Sequence, residues 1–384
     1  MKFNFFHLMP YQYLPDDFEE TVRSPSLTYP NGNFDRQKGH ALYHRYLDEL
    51  EYADKLGFDG ICVNEHHQTA YGLMPAPNIM AAALARRTSK AQVMVLGNAI
   101  GLRDHPLRVA EEIAMLDHLC DGRLVSGFVR GIGWEYFGHS VNPVHSRDRF
   151  NEALELIVKA WTTDDVFEWW GDHYEFRYVN VWPRCLQEPH PPIYIPGVGS
   201  SETQKYCAQR GYTYMSVYSP MRMVKRWFDG YRNACEEAGY EAPPERIGYA
   251  TPIYVAETHE AARAEARQYM EWLFHKGLKQ GAEIVWPPGY MSPGSLKGIL
   301  MSGMKPFPEL SYEELLEEKI VVVGSPESVS EQLEEMRQEL GFGQLMALMC
   351  IGDMPHHRVV RTMELFAKEV APNFRAASPE PAVV

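Results

Sequence analysis

The sequence lacks the features of an exported, membrane-bound or nucleic-acid-binding protein. No apolar run approaches the ~18 residues of a membrane span, and the apolar part of the first residues is too short for a signal peptide. Six cysteines form no CxxC pair, which is typical of reduced, buried thiols. There is no basic run, and the net charge is −14, which argues against a phosphate-backbone partner. These absences predict a cytoplasmic protein without a membrane or nucleic-acid partner.

Metal-ligand clusters with clear spacing are also missing. Adjacent residues at a strand end point to opposite faces, so the rings of His66 and His67 do not reach one ion. His356 and His357 open a predicted helix, where their rings diverge. We therefore expect no metal. Two interpretations of His66 stay open: it contacts or exchanges a proton with a ligand, or the histidine pair only caps a strand.

Short apolar runs alternate with longer amphipathic runs along most of the chain. Each apolar run is near-continuous, as expected when both faces of a strand are buried. The eight predicted strands are 2–8, 59–64, 92–97, 123–129, 192–196, 212–217, 247–256 and 343–350. The predicted helices are 39–56, 76–88, 105–120, 147–161, 201–210, 221–238, 259–276, 325–340 and 356–370. Repeated βα units form an open parallel sheet or a closed barrel, and eight strands favour a (β/α)8 barrel.

Three stretches stand outside this alternation. Residues 166–191 predict a β-hairpin beside the barrel. A Gly-, Pro- and Met-rich insertion at about 284–319, between strands 7 and 8, predicts a lid or a disordered segment. We expect a single domain over 1–375 and a flexible tail at 376–384.

Candidate ligand-binding residues follow the strands, because barrel chemistry lies at the carboxyl ends of the strands. Strand 5 is followed by a glycine- and hydroxyl-rich turn into a helix, which is either a phosphate cradle or an ordinary N-cap. Arg130 after strand 4 contacts a phosphate or ring carbonyl, or pairs with an acidic loop. The small residues after strand 3 either leave room for a flat ligand against the backbone or only allow a helix to pack tightly against the strand. Aromatic and methionine side chains predict an apolar pocket, although most aromatics in any chain are simply core.

Four stretches, in order and spacing, resemble the bacterial luciferase-like flavin monooxygenase family. The likeness is carried by 57–67, with Glu65-His66-His67; 97–112, with Gly97-Asn98-Ala99; 116–131, with Gly127-Phe128-Val129-Arg130-Gly131; and 192–211, with Ser200 and Thr203. It resumes at 322–327 and continues through the last helix.

This resemblance implies a barrel with an insertion before the eighth strand, commonly in a homodimer. It implies reduced FMN supplied transiently by a separate flavin reductase, O2 as co-substrate, and oxygenation through a C4a-peroxyflavin. A histidine matching His66 supports that intermediate, and the turn matching Asn98-Ala99 holds a non-proline cis peptide beneath the flavin ring. The cofactor-binding residues that follow are Asn98, Ala99, Phe128, Arg130, Gly199, Ser200 and Thr203.

We expect the substrate pocket to be lined by Phe6, Val129, Trp134 and Trp286. Bacterial luciferase itself has a cysteine where Val129 stands, so we do not expect light emission. The sequence therefore predicts a flavin-dependent monooxygenase acting on a hydrophobic small organic molecule such as an aldehyde, ketone or terpenoid. The alternatives are a deazaflavin (F420)-dependent oxidoreductase, a non-catalytic flavin-binding protein and, last, a metal-dependent barrel hydrolase.

Overall fold

Eight parallel strands of the computed structural model hydrogen-bond in a closed ring. The structure describes residues 1–301, 303 and 305–375, so the tail predicted at 376–384 lies outside it. The strands, in chain order, are β1 (Lys2–Phe6), β2 (Gly60–Val63), β3 (Gln92–Ala99), β4 (Leu124–Val129), β5 (Phe167–Trp170), β6 (Glu175–Val179), β7 (Ile193–Pro196), β8 (Thr213–Val217), β9 (Ile247–Val255), β10 (Val322–Gly324) and β11 (Gln344–Leu348).

The ring runs β1-β2-β3-β4-β7-β8-β9-β11 and closes through parallel pairing of β11 with β1. All eight predicted strands are confirmed, as is the barrel. The predicted hairpin is the antiparallel pair β5–β6. Strand β10 was not predicted; it pairs parallel with the far end of β9. One domain over 1–375 stays a prediction.

Fourteen α-helices lie between or after the strands in the described part of the chain. They are α1 (Phe18–Thr21), α2 (Arg36–Leu56), α3 (Pro77–Arg87), α4 (Leu107–Leu119), α5 (Gly133–Gly138), α6 (Ser146–Thr162), α7 (Ser201–Arg210), α8 (Met221–Glu237), α9 (His259–Glu271), α10 (Ala282–Val285), α11 (Pro293–Met301), α12 (Tyr312–Glu317), α13 (Pro326–Leu340) and α14 (His356–Leu365). Helices α9 and α14 each continue into a π-helical turn, at Trp272–Gly277 and Phe366–Val370.

Local chemistry sets the helix ends. The Asp35 carboxylate accepts the free N–H groups of Gln37 and Lys38 where α2 begins. Gly57 ends α2 in the left-handed conformation, with φ of 84°, which glycine adopts without steric cost. No helix among the described residues combines the length and the apolar character needed to cross a membrane.

Side chains fill the inside of the barrel. A Cβ added at Gly60 would lie 2.5 Å from the Asn4 Oδ1 of the neighbouring strand, and Cys62 Sγ lies 3.6 Å from Met94 Sδ. A ligand therefore has to bind at the mouth. The insertion before β11 carries α10, α11 and α12, and its first part, 281–290, packs beside the loop after β4.

Candidate active site

His66 lies at the mouth, immediately after β2, with its ring held from three sides. Its Nδ1 lies 3.2 Å from Glu135 Oε1, and its ring centroid is 4.9 Å from that of Tyr71 and 6.1 Å from that of Trp134. Glu135 comes from α5, which follows β4. The loops after β2 and β4, whose strands are separated in the ring by β3, thus build the environment of one imidazole.

His67 turns to a different carboxylate. Its Nε2 lies 2.5 Å from Glu65 Oε1, which also accepts a hydrogen bond from Arg103. The other oxygen of Glu65 accepts the Ala99 N–H at 3.1 Å. Burial opposes ionisation of Glu65, but the His67 hydrogen bond and the Arg103 charge hold the pKa of this carboxyl below its usual value. Glu65 therefore ties the end of β2 to the end of β3.

The end of β3 differs in one respect from the prediction. The non-proline cis peptide joins Leu96 to Gly97, not Asn98 to Ala99. A Cβ at Gly97 would lie 2.4 Å from the carbonyl carbon of Gly127, so the two glycines let β3 and β4 approach closely. The register between these strands also shifts there. The sequence motif alone did not show which of its peptide bonds is cis.

Asn98 and Ala99 are both buried, and their neighbours differ. Asn98 Oδ1 accepts a hydrogen bond from Asn78 of α3, and its Nδ2 has no partner in the part of the chain that the structure describes. Ala99 packs with Leu102 and Tyr136 in a small cluster that Val129 also joins. The Asn98 amide thus faces the helix layer, and Ala99 and Val129 share a cluster at the mouth.

The side chain of Phe128 is not brought to the mouth. Its fully buried ring packs 6.1 Å from that of Trp161, near the far end of α6. Alternate residues of a strand point to opposite faces, so Phe128 enters the layer between β4 and the helices. Contact of this ring with a cofactor is therefore not supported by the structure.

The turn after β7 forms a cradle of hydroxyl and guanidinium groups. Arg147 donates to Ser200 Oγ at 3.1 Å and to Thr203 Oγ1 at 3.4 Å. Ser200 is also the N-cap of α7, so the N-cap interpretation is confirmed, and the phosphate interpretation stays a prediction. Gly199 has φ of 84°, and a Cβ there would lie 2.1 Å from Trp227 Nε1. Trp227 therefore occupies the space that any side chain at position 199 would need, so this position requires glycine.

A second guanidinium adjoins this cradle. Arg130 donates to the Tyr290 carbonyl at 2.8 Å and lies 3.8 Å from the Tyr290 ring centroid. Burial and the nearby positive charge of Arg130 lower the pKa of Arg147. Among the described residues, neither arginine forms an ion pair with a carboxylate. The acidic loop partner considered for Arg130 is not what the structure shows.

The segment 281–290 covers the loop after β4. A Cβ at Gly133 would meet Pro287 at 2.2 Å, and Tyr290 donates its hydroxyl proton to the Gly131 carbonyl at 2.5 Å. Trp286 ends α10 half-buried, and α10 packs against α5. The predicted lid thus has an ordered part that lies against Arg130.

Two of the predicted pocket residues, Phe6 and Trp134, follow or end strands at the mouth. Phe6 ends β1 and pairs with Cys62 of β2. Trp134 is buried beside His66, and its Nε1 has no hydrogen-bond partner among the described residues. Within the same part of the chain, the Oδ1 of Asn64, two residues before His66, is also buried and without a partner.

Another titratable cluster, His7, Glu49 and Cys350, brings possible metal-ligand atoms within 4.8 Å of one another. His7 Nδ1 accepts the Met9 N–H at 2.9 Å, so Nε2 carries the proton that faces Glu49. Arg45 also donates to Glu49. A protonated Nε2 has no lone pair for a metal ion. The Glu49 carboxylate is therefore held by a hydrogen bond from His7 and an ion pair with Arg45.

Sequence reasoning did not find Arg147, Glu135 or Tyr71. Arg147 was only the first residue of a predicted helix, and Glu135 lay unremarked beside Trp134. Arg147 and Glu135 reach their partners across 53 and 69 residues of sequence, which a local motif does not encode. Tyr71 lies in the same loop as its partner His66, but nothing in the loop sequence indicates that the two rings meet. The glutamate before two aromatic residues, directly after the Arg130 loop, was the one available signal.

Comparison with known proteins gives a consistent result. A family model described as luciferase-like monooxygenase matches residues 26–344. The chain is 30% identical over 338 residues to the uncharacterised protein y4wF of Sinorhizobium fredii, covering 84% of this chain and 91% of that protein. It is 25% identical over 347 residues to the oxygenase component of a flavin-dependent trigonelline monooxygenase from Acinetobacter baylyi, covering 88% and 92%.

Solved structures share the fold over nearly the whole chain. Monooxygenase RslO1 of Streptomyces bottropensis is 26% identical, with a TM-score of 0.77 and coverage of 98% and 100%. The FMN complex of the oxygenating component of 3,6-diketocamphane monooxygenase from Pseudomonas putida is 20% identical (TM-score 0.74, coverage 98% and 99%). An F420-dependent secondary alcohol dehydrogenase is 16% identical (TM-score 0.67, coverage 98% and 99%). The last two likenesses show the fold alone.

Proposed function

This chain is an enzyme of the luciferase-like monooxygenase family, and from that premise we propose that it uses reduced FMN and O2 to oxygenate a small hydrophobic organic molecule. A separate flavin reductase supplies the reduced FMN in this proposal. The observation that carries it is the pair of guanidinium groups, Arg130 and Arg147, beside the hydroxyl-lined start of α7.

This cradle fits a phosphate monoester. Two arginines without a carboxylate ion pair, two hydroxyls and a helix N-terminus together favour an anion. The Glu202 carboxylate opposes an anion there, because it accepts the Ser200 hydroxyl proton at 2.8 Å. Its side chain is exposed, so it can turn to solvent when a phosphate binds. Arg130, Arg147, Ser200 and Thr203 would hold the phosphate of FMN.

Bound reduced FMN supplies the electrons and the position at which O2 reacts. The residues of this chain do the rest: Ala99 and Val129 form a small-residue surface at the mouth, and the 281–290 segment covers the loop after β4. His66 holds or moves a proton there. An apolar, covered mouth limits loss of the reactive oxygen species to water.

The substrate class follows from the polarity of the mouth. Tyr71, Trp134 and Phe6 are apolar surfaces there, and the unpartnered Trp134 Nε1–H is a donor for one acceptor oxygen. An aldehyde or ketone, with one carbonyl oxygen on a hydrocarbon body, satisfies both requirements. A substrate panel tests this: oxidation of small polar compounds only would contradict it.

We further propose a homodimer joined through α3 and α4. Ile79, Met115 and Leu119 are 70%, 53% and 40% exposed along a groove of about 570 Å³ between these helices. Contiguous exposed apolar side chains of this kind mark association surfaces. A cytoplasmic location is also proposed, because all six cysteines are free thiols in the structure.

The decisive experiment titrates the purified apoprotein with photoreduced FMN and then mixes the complex with oxygenated buffer. The expected result is binding followed by the transient absorbance of a C4a-peroxyflavin, weakened in His66→Ala. Riboflavin is the matched ligand without the phosphate, and it should bind more weakly. Failure of reduced FMN to bind, or reoxidation at the rate of free flavin, would overturn the proposal; a parallel titration with F420 identifies the deazaflavin alternative.

A further inference from the structure

The contacts of Glu135 go beyond capping a helix. Glu135 stands three residues after the N-cap Ile132 of α5, and its Oε2 accepts the Ile132 N–H at 2.7 Å. One carboxylate oxygen completes that cap. The other oxygen, Oε1, lies 3.2 Å from His66 Nδ1 and accepts the His67 N–H at 3.3 Å. The cap thus fixes the direction in which the carboxylate faces His66.

We propose that Glu135 is a positioning residue that keeps the proton of neutral His66 on Nδ1, so that Nε2 presents a lone pair to the barrel mouth. Its consequence for catalysis rests on the proposed function, but the tautomer itself does not. An ionised carboxylate only accepts hydrogen bonds. Its two backbone N–H partners require acceptor oxygens, so the ring atom that faces it must be the donor.

The other ring nitrogen is free to act. In the described part of the chain, Nε2 of His66 has no hydrogen-bond partner, and the side chain is 12% exposed. Tyr71 and Trp134 flank the ring, and neither offers a hydrogen bond to this nitrogen. The nitrogen available to a bound molecule is therefore Nε2, and its role as proton acceptor depends on the tautomer.

Two other glutamates show that this arrangement is particular to Glu135. Glu65 also pairs with a histidine, but Arg103 shares its carboxylate. Glu314 likewise accepts the backbone N–H of the N-cap residue, Ser311, at the start of α12, yet it is one-third exposed and pairs with Lys305. Glu135 is 1% exposed, and His66 is its only ion-pair contact among the described residues. A cap alone does not require burial of this carboxylate.

The proposal is tested by determining the tautomer of His66 by NMR in the apoprotein labelled with 15N-histidine. Long-range 1H–15N spectra distinguish the protonated ring nitrogen from the unprotonated one, and His66→Gln assigns the signal. We expect Nδ1–H in the wild-type chain. In Glu135→Gln the amide oxygen stays with the Ile132 N–H, which turns the amide NH2 toward His66, so the proton should move to Nε2. A wild-type Nε2–H tautomer, or no change in the variant, overturns the proposal.

The turnover experiment separates positioning from folding. Glu135→Gln should lower the oxygenation rate by about 10²-fold, the scale of one proton-transfer group, while the Kd for reduced FMN stays within about twofold. Glu314→Gln removes an equivalent capping carboxylate and should change neither quantity. Equal rate losses in both variants would show that Glu135 acts only as a helix cap, which contradicts the proposal. If Glu135→Gln does not fold, the wild-type spectrum still decides; absent FMN binding overturns only the proposed function.

Discussion

At the scale of single residues, the cradle after β7 depends on where positive charge is placed. Arg147 reaches Ser200 and Thr203 from the first turn of α6, whereas Arg130 is engaged by the Tyr290 carbonyl. Arg147 is therefore the arginine that already donates hydrogen bonds to the two hydroxyl groups of the cradle. A phosphate bound there exchanges neutral contacts for charge-assisted ones, which are roughly twice as strong.

Replacing Arg147 with Gln should weaken FMN binding and leave riboflavin binding unchanged. Loss of a hydrogen bond to a charged group costs about 1.5–3 kcal/mol, so the Kd for FMN should rise about 10- to 100-fold. Fluorescence titration measures both ligands. Lys205→Gln, which removes a charge of the same sign from the exposed face of α7, is the control and should change neither Kd. Equal weakening of both ligands would place the phosphate elsewhere.

Gly97→Ala should destabilise the barrel. A Cβ there would lie 2.4 Å from the Gly127 backbone, and overpacking of this kind costs about 1–3 kcal/mol. The free energy of unfolding in urea is the measurement. Gly32→Ala is the matched control, since nothing lies within 4 Å of its added Cβ. Similar stability of both variants would show that the two strands separate readily.

At the scale of elements, α2 joins the first and last strands through buried charge. Glu49 of this helix meets His7 after β1 at 3.0 Å and His356 at the start of α14 at 2.8 Å. Burial opposes ionisation of Glu49, but hydrogen bonds from His356 and His7 and the Arg45 charge bring its pKa down to about 2. Burial lowers the pKa of His7. This network helps to close the barrel between β11 and β1.

Acid should therefore destabilise the protein in two steps. Unfolded His7 takes up a proton below its ordinary pKa of 6.5, and unfolded Glu49 does so below 4.5, while the folded chain resists both. The stabilisation is present at neutral pH and is lost as pH falls, first below 6.5 and then from 4.5 towards 2. Melting temperatures across this range are the measurement.

Glu49→Gln tests the second step. Breaking one side of a buried ion pair should cost about 3 kcal/mol at pH 7, and the variant should lose less stability than the wild-type chain below pH 4.5. Glu237→Gln breaks an exposed pair with Lys205 and should cost less than about 1 kcal/mol. An unchanged acid profile in Glu49→Gln would assign the acid sensitivity to other carboxylates.

At the scale of the whole molecule, the apolar surface and the mouth lie on adjoining elements. Helices α3 and α4 follow β2 and β3, the strands that carry His66 and Ala99. Asn78 of α3 donates to Asn98 at the end of β3. A second copy bound in the groove between α3 and α4 would therefore pack against the helices that support the barrel mouth.

Met115→Lys should convert the proposed homodimer to a monomer, because a lysine ammonium in an apolar interface loses its hydration without a partner. Light scattering coupled to size-exclusion chromatography gives the mass. Met301→Lys places the same charge at another exposed methionine, on α11, and should leave the mass unchanged. A wild-type monomer, or a dimer that survives Met115→Lys, would contradict an interface at α3 and α4.

The sequence by itself determined the barrel and the local parts of the site. Buried strands are short apolar runs and helix ends are marked by caps and glycines such as Asp35 and Gly57, so each element is encoded within a few neighbouring residues. The position of His66 after β2, and of the Ser200 turn before α7, followed from the rule that chemistry lies at strand ends. Eight such units left the closed barrel as the favoured arrangement.

Only the tertiary structure decided which side chains meet. Glu135 and His66 are 69 residues apart, and Arg147 and Ser200 are 53 apart; no local pattern records such pairs. The pleat of β4 sent Phe128 into the helix layer, and the cis peptide lies two residues earlier than expected, where Gly97 approaches Gly127. Local sequence sets the elements through short-range sterics and hydrogen bonds, whereas direction and contact depend on how the closed ring packs.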